Sequence, residues 1–189
     1  MTALPDWLAS TVASDATGGR GVIRADQRAL SPEATVAGPA LVVTVSKDDN
    51  LAMRDVPGAV TQPGTVLVVA GGAASTTAVL GDLVARELLA AGVVAVVTDG
   101  PIRDSRAVAE LGLAVWARDV TPAASSKNGP GSVGGSVEIG GVEVFDGDIV
   151  VADADGVVVW PRSSLDELLA KAEAKQQADA ARLAKLTQS

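Results

Sequence analysis

Three charged residues of this chain have the types and the order needed to bind an anion and a metal ion: Asp82, Arg103 and Asp104. Arg103 and Asp104 follow the stretch "TDGPI", and twenty residues separate Asp82 from Arg103. A guanidinium can hold a carboxylate through two parallel hydrogen bonds, and a carboxylate can hold Mg²⁺ while water completes its shell. The alternative is a solvated ion pair worth at most about 1 kcal/mol, with Asp82 complementing a helix dipole. Spacing alone favours this simpler alternative.

The absence of two residue types narrows the available chemistry. The 189 residues include neither Cys nor His. Thiol nucleophiles, imidazole bases, Ser-His-Asp triads and zinc sites built on His or Cys are therefore excluded. What remains is chemistry by carboxylates, Arg, Lys, hydroxyls, backbone amides or a hard metal ion bound through oxygen.

Charge and hydropathy exclude further classes of function. The net charge is −8, the pI is about 4.5 and no basic run occurs, so we expect no nucleic-acid partner. No apolar stretch approaches the roughly 20 residues of a membrane span, and no signal peptide is recognisable at the start. These features, with the lack of Cys, predict one cytoplasmic domain over 1–189, independent of membranes.

Alternating apolar segments in the first half predict an α/β fold. We expect strands over 64–72, 93–100 and 113–117, with helices over 78–92 and 105–111 between them. The apolar runs "TVLVVA" and "VVAVVT" are typical of parallel strands covered on both faces. Strand, helix and strand then form βαβ units.

Parallel strands bring the candidate residues to one edge of the sheet. Loops that follow neighbouring parallel strands lie at the same carboxyl edge, where open α/β sheets bind ligands. We therefore expect Asp82 to face Arg103 and Asp104. Free N–H groups at the start of the 78–92 helix can bind an anion, and they belong to Gly81, Asp82, Leu83 and Val84. A cation on Asp104 would stabilise an enolate, and Asp82 could orient or deprotonate a water molecule.

Other segments predict the remaining architecture. We expect a helix over 4–14, a strand, turn and strand over 34–46, and antiparallel hairpins over 136–161. A long helix over 163–187, packed on the domain or on a neighbouring subunit, would start with a capping box of Ser164 and Glu167. The match to G-x-G-x-x-G in "GPGSVG" leads into a β-type stretch, which indicates a turn-rich loop and not a dinucleotide site. The stretch "ADADG" indicates a hairpin turn.

The segment "GDLVARELLAAGVVAVVTDGPIRD" resembles a known family. It is similar to the divalent-metal class II pyruvate aldolases of 4-hydroxy-4-methyl-2-oxoglutarate and 4-carboxy-4-hydroxy-2-oxoadipate, in a superfamily shared with the RraA-like regulator of ribonuclease E activity. The stretches "SDATGGRGVI", "AGPALVVTVSKDDN" and "GGVEVFDGDIVVADADGVVVWP" extend the resemblance over most of the chain. The aldolase pattern is Asp, twenty residues and then Arg-Asp, which Asp82, Arg103 and Asp104 satisfy.

The resemblance implies a fold and a role for each site residue. The family fold is a layered α/β/β arrangement, and family members form trimers or paired trimers. Arg103 would bind the carboxylate and carbonyl oxygen of a pyruvoyl substrate, helped by the amides after Gly81. Asp104 would bind Mg²⁺ or Mn²⁺, and Asp82 would position the water that exchanges protons with the pyruvate enolate. Regulator-type members typically carry Gly in place of Asp82 and an acidic residue in place of Ala107, so this chain resembles the aldolase branch.

Three hypotheses for function follow. The first is a metal-dependent lyase that cleaves 2-oxo acids by retro-aldol reaction, by oxaloacetate decarboxylation or by both. The second is a non-catalytic protein that binds and inhibits a ribonuclease partner. The third is a Schiff-base aldolase, which the sequence disfavours because every Lys lies in a polar segment where its pKa would not be lowered by burial.

Overall fold

A computed structural model describes residues 4–24 and 28–187 of the chain. The described α-helices are α1 (Ser10–Thr17), α2 (Val56–Ala59), α3 (Asp82–Ala91), α4 (Ser105–Glu110) and α5 (Leu165–Leu186), with 3₁₀ turns at Leu51–Arg54 and Arg162–Ser164. The described strands are β1 (Arg28–Ala29), β2 (Val36–Thr44), β3 (Thr65–Ala70), β4 (Val93–Thr98), β5 (Pro101–Ile102), β6 (Ala114–Ala117), β7 (Asp119–Val120), β8 (Ser132–Val133), β9 (Ser136–Ile139), β10 (Val142–Phe145), β11 (Ile149–Asp153) and β12 (Gly156–Trp160).

Four parallel strands form the centre of the main sheet, in the order β6, β4, β3 and β2. Strand β1 pairs antiparallel with β6, while β11 joins β2 in the antiparallel direction and is followed by β12. Every residue of β3 is buried, as the continuous apolar sequence predicted. Such a strand is stable only where other layers cover both of its faces.

Helices cover one face of this sheet. Leu67 and Val69 of β3 pack with Leu88 of α3 and Val108 of α4 in one buried apolar cluster. Helix α3 ends at Gly92, which takes the left-handed backbone conformation at φ +98° that a helix C-cap favours. The βαβ prediction is therefore confirmed, although α3 begins at Asp82 and not at residue 78.

A hairpin covers the opposite face. Strands β9 and β10 pair with each other, and Val137 and Val144 pack against Val66 and Val68 of β3. The tight connection is Gly140-Gly141, where both residues have positive φ, as a two-residue hairpin turn requires. Helix, sheet and hairpin layers confirm the expected α/β/β architecture.

The N- and C-terminal helices pack at the β11–β12 end of the sheet. Leu8, Trp160, Leu165 and Leu168 belong to one buried cluster that joins α1 and α5 to these strands. The second half of α5 is mainly exposed. Ion pairs between residues four apart lie along the helix, such as Lys171 with Glu167 and Lys175 with Asp179. No helix among the described residues is long and apolar enough to cross a membrane.

Several predictions of local structure were wrong. The first helix spans Ser10–Thr17 and not 4–14, because the backbone N–H and hydroxyl of Ser10 donate to the buried Asp153 carboxylate and fix the start of the helix there. Residues 36–44 form one strand, whose first part pairs with β11 and whose second part pairs with β3. Ser164 makes no side-chain cap at the start of α5. It lies in the preceding 3₁₀ turn, with φ −108° and ψ 8°, and this backbone differs from the extended one that a cap needs.

Two turn predictions were confirmed. The "GPGSVG" stretch is a loop that contains the two-residue strand β8, and it opens no helix. In "ADADG", Asp153 accepts a 2.9 Å hydrogen bond from the Asp155 amide and shapes the turn between β11 and β12.

Candidate functional site

Two loops at the carboxyl edge of the parallel strands lie side by side. The loop after β3 and the loop after β4 are joined by backbone hydrogen bonds, from Val79 N–H to the Pro101 carbonyl at 2.9 Å and from Arg103 N–H to the Leu80 carbonyl at 3.0 Å. The second bond places Arg103 beside the residue that precedes Gly81. The start of α3 and the Arg103-Asp104 pair are thus neighbours despite the long interval in the sequence.

Gly81 is the point of closest approach between the two loops. A β-carbon built on Gly81 would lie 2.6 Å from Asp104 Oδ2 and 2.8 Å from Arg103 Nε. The φ of Gly81 is −139°, which any residue can adopt. Glycine is therefore required for space and not for backbone conformation, because the side chains of Arg103 and Asp104 lie directly over its α-carbon.

Asp104 is held in an uncommon backbone conformation. Its φ of +54° is in the left-handed region, and α4 begins at the next residue. Its Oδ2 accepts a 3.3 Å hydrogen bond from the Asp82 amide and lies 3.5 Å from Arg103 Nε. The side chains of Arg103 and Asp104 are 38% and 42% exposed, so both remain accessible to a ligand.

The first turn of α3 contributes backbone donors. The N–H groups of Leu83 and Val84 have no acceptor within their own helix because they lie in its first turn. The Asp82 carboxylate points along the helix, with Oδ2 3.9 Å from Arg86 Nε. The structure therefore brings the Asp82 backbone to Asp104, while the Asp82 side chain faces Arg86. Leu83 is 67% exposed beside this site.

Polar contacts hold the loop that leads to Gly81. The Asp99 carboxylate accepts hydrogen bonds from Gly71 N–H at 3.1 Å and Gly72 N–H at 2.8 Å. Burial raises the pKa of the Asp99 carboxyl, and these amide donors partly offset that effect. The Arg118 guanidinium donates to the carbonyls of Ala73 and Ser75 in the same loop.

Asp48 and Asp49 lie after β2 on the same edge, and their carboxylates hold loop backbone. Asp48 accepts from the amides of Thr76 and Thr77, and these bonds lower the pKa of its carboxyl. Asp49 accepts from the Ser126 hydroxyl and from the amides of Leu51, Asn128 and Gly129, and its pKa lies well below the usual range. The carboxylates of both residues accept hydrogen bonds from the loops, and we do not count them with Arg103 and Asp104 as site residues.

An open depression of about 560 Å³ extends from Arg103 and Asp104 along α4. Its other lining residues include Arg106, Val120 and Pro122. Sequence reasoning missed these three residues. Val120 and Pro122 follow β6, which is the next parallel strand beyond β4, so the rule that parallel strands share a carboxyl edge would have found them.

The donor set fits a hard cation that keeps much of its water. Among residues 4–24 and 28–187, no group of three Asp, Glu, His or Cys side chains is placed to hold a metal ion. Asp104 offers a half-exposed carboxylate, with Asp82 adjacent through the backbone contact. Mg²⁺ commonly uses one or two carboxylates together with water and substrate oxygens. The site fits such an ion and does not fit a closed structural metal centre.

Solved structures define the fold class. The chain superposes on the RNA-processing inhibitor RraA of Thermus thermophilus with a TM-score of 0.73 and 30% identity, over 82% of this chain and 93% of that one. It also superposes on an unusual member of the RNase ES inhibitor RraA family from Streptomyces coelicolor, with a TM-score of 0.81, 32% identity and 93% of each chain covered. The layered fold is therefore that of the RraA proteins.

Sequence comparison supplies the family. The RraA-like model, described as Aldolase/RraA, matches residues 10–159. A Halalkalibacterium halodurans protein provisionally named 4-hydroxy-4-methyl-2-oxoglutarate aldolase is 37% identical over 92% of this chain and 82% of its own length. The 4-hydroxy-4-methyl-2-oxoglutarate aldolase of Thermus thermophilus is 38% identical over 52% of this chain and 60% of its own. The chain belongs to the RraA-like, Aldolase/RraA family.

Proposed function

We propose that this protein is a divalent-metal-dependent lyase that cleaves the carbon–carbon bond next to an enolisable 2-oxo acid. The observation that carries the proposal is the contact of the α3 start with the Arg103-Asp104 pair across Gly81. That contact brings the Arg103 guanidinium, the free amide donors at the start of α3 and the Asp104 carboxylate to one accessible point. It is the combination that a pyruvoyl group and a cation require.

Arg103 and the helix amides would hold the substrate. The guanidinium offers two parallel donors to the substrate carboxylate, and the N–H groups of Leu83 and Val84 point toward an oxyanion. The α3 dipole adds a favourable positive potential at the same place. Because Arg103 lies against Gly81, its position is restricted before the substrate arrives.

The proposed reaction passes through the enolate of pyruvate. In retro-aldol cleavage the 4-hydroxyl loses its proton, the C3–C4 bond breaks, and its electron pair remains on the pyruvoyl half. Asp82 would position the water that takes up and returns the proton. Asp104 would hold Mg²⁺ or Mn²⁺, whose Lewis acidity stabilises developing negative charge on oxygen. Oxaloacetate decarboxylation releases CO₂ and leaves the same enolate, so we propose it as a second activity.

The names of the sequence relatives support a lyase. The Thermus and Halalkalibacterium proteins bear an aldolase name. Asp82 and Ala107 occupy the two positions at which this chain resembles the aldolase branch. We propose 2-oxo acids of the 4-hydroxy-4-methyl-2-oxoglutarate type as the natural substrates.

The test is a metal-dependence assay on two substrates. Pyruvate release from 4-hydroxy-4-methyl-2-oxoglutarate and from oxaloacetate is measured with Mg²⁺, with Mn²⁺ and after EDTA treatment. We expect turnover that EDTA abolishes and added metal restores, and losses on the order of 100-fold in Arg103→Ala and Asp104→Ala. Arg182→Ala, which removes an exposed charge from distant α5, is the matched control. Turnover without metal, or turnover that is unchanged from the intact protein in both site variants, would refute the proposal.

A second candidate is a non-catalytic inhibitor of a ribonuclease. The observation that favours it is the similarity to RraA structures described as inhibitors of RNA processing. Affinity capture of a stoichiometric ribonuclease, together with no lyase activity on any 2-oxo acid tested, would establish it in place of the lyase.

We also propose a homotrimer or paired trimers in the cytoplasm. Leu83 is an exposed apolar side chain beside the site, and a second copy could cover it. Light scattering coupled to size exclusion would report the mass of the assembly. A monomer at micromolar concentration would contradict this assembly.

A further inference from the structure

The depression beside Arg103 has room for the part of a substrate that the pyruvoyl site does not hold. It shares Arg103 and Asp104 with the proposed site and continues past the first turn of α4 to Val120 and Pro122. If the lyase proposal holds, the leaving half of the substrate must extend away from Arg103. This inference rests on that proposed function, and the depression is the adjoining space that can receive the leaving half.

The depression combines an apolar wall with a second guanidinium. Ala107, Val120 and Pro122 contribute apolar lining, and Val120 is 49% exposed. Arg106 contributes a side chain that is 92% exposed, and its Nε donates to Glu110 Oε1 at 2.9 Å. Arg has five N–H donors, so this bond leaves the terminal nitrogens available. The Glu110 carboxylate holds the Nε end of the Arg106 guanidinium through this bond.

Arg106 is suited to a carboxylate that lies beyond the bond to be cleaved. Arg103 and Arg106 are the cationic residues among the described lining residues, and in the proposed function Arg103 would be taken by the pyruvoyl group. Asp104 and Glu110 would repel an anion placed near them. A second carboxylate is therefore best placed at the terminal nitrogens of Arg106, while the apolar wall accommodates a small alkyl group on C4.

We propose that Arg106 is a specificity-determining residue that binds a carboxylate on the leaving half of the substrate. The 4-hydroxy-4-methyl-2-oxoglutarate-type substrates proposed above carry such a carboxylate on C4. When the C3–C4 bond breaks, its electron pair stays with the pyruvate enolate, and the 4-hydroxyl proton is transferred to water or base. The leaving half departs as a 2-oxo acid with its carboxylate still bound to Arg106.

A matched pair of substrates isolates this contact. In 4-hydroxy-2-oxopentanoate a methyl group replaces the distal carboxylate of 4-hydroxy-2-oxoglutarate, and the bond cleaved is the same. With Mg²⁺ present, we expect the intact protein to prefer the glutarate in kcat/KM by about tenfold, which is the scale of one exposed charge-assisted contact. Arg106→Ala should lose this preference through a higher KM for the glutarate, with less than a twofold change for the pentanoate. Arg182→Ala should behave as the unmodified protein.

Equal losses on both substrates, or no loss on either, would overturn the role of Arg106. If the intact protein cleaves neither compound and no other 2-oxo acid, the lyase proposal fails, and calorimetry then decides the inference separately. The probes are 2-oxoglutarate and 2-oxopentanoate, which again differ by a carboxylate and a methyl group. Tighter binding of 2-oxoglutarate that is lost in Arg106→Ala would support the contact, and equal binding of both compounds would overturn it.

Discussion

Gly81→Ala tests whether the close approach at the site controls function. An added β-carbon would lie 2.6 Å from Asp104 Oδ2 and 2.8 Å from Arg103 Nε, where an ordinary contact is at least 3.4 Å. The two side chains must therefore retreat by about 0.8 Å and 0.6 Å. Misplacement of catalytic groups by about 1 Å can reduce rates by roughly 100-fold, which corresponds to about 2.7 kcal/mol of lost transition-state stabilisation.

The same substitution should affect stability only slightly. The φ of −139° at Gly81 suits alanine, and the half-exposed side chains of Arg103 and Asp104 can move toward solvent. Replacing glycine by alanine at a helix N-cap costs about 0.5–1 kcal/mol, so we expect Tm to fall by no more than about 3 °C. Activity and stability are therefore expected to separate.

The assay combines kcat/KM for pyruvate release with thermal unfolding of the same samples. Gly58→Ala is the matched control, because an added β-carbon there meets nothing within 4 Å, and its activity should be unchanged. A Gly81→Ala protein with at least half of the normal kcat/KM would refute the steric reasoning. A fall in Tm above 10 °C would show that Gly81 serves folding instead.

Further predictions concern buried and polar side chains outside the site. Asp49→Asn should lower Tm at pH 7, because folding lowers the pKa of Asp49 and its ionised carboxylate therefore stabilises the folded protein. This stabilisation is lost as the pH falls below the ordinary pKa of 3.8, so the difference in Tm between the two proteins should shrink there. A Tm difference that stays constant down to pH 2 would contradict it. Asp153→Ala should destabilise by about 1–3 kcal/mol in urea unfolding because buried donors lose their acceptor, whereas the exposed Asp155→Ala should change stability by less than about 0.5 kcal/mol. Leu88→Ala should lower the free energy of unfolding by about 2–5 kcal/mol, because Leu88 is fully buried. Leu183→Ala, at an exposed position, should be near neutral by the same measurement. Similar losses of stability in the two variants would show that burial does not set the size of the effect.

Local sequence determined the parallel half of the fold. Runs such as "TVLVVA" are apolar at every position, so they are stable only as covered strands, and the helical spacing of Leu88 and its neighbours predicts α3 between two of them. The interval from Asp82 to Arg103 follows from the lengths of that helix and strand. Family resemblance then made Asp82, Arg103 and Asp104 the candidate site residues, which spacing alone did not distinguish from a solvated ion pair.

Long-range pairing was decided only by the tertiary structure. Residues 36–44 form one strand because β11, more than a hundred residues later, pairs with their first part. Ser10 begins α1 because the Asp153 carboxylate, 143 residues away in sequence, accepts its N–H. Neither partner lies within the short window that periodicity samples, so local patterns could not reveal these boundaries.

The sequence by itself determined which residue types could act, since the lack of His and Cys left carboxylates, Arg, Lys, hydroxyls, backbone amides or an oxygen-bound metal ion for the site. The tertiary structure decided how they meet: Gly81 under Arg103 and Asp104, the Asp82 carboxylate turned to Arg86, and Arg106 beside a depression. The physical reason is that residue type fixes charge and hydrogen-bonding capacity, whereas distance and direction depend on loops held together by contacts between distant parts of the chain.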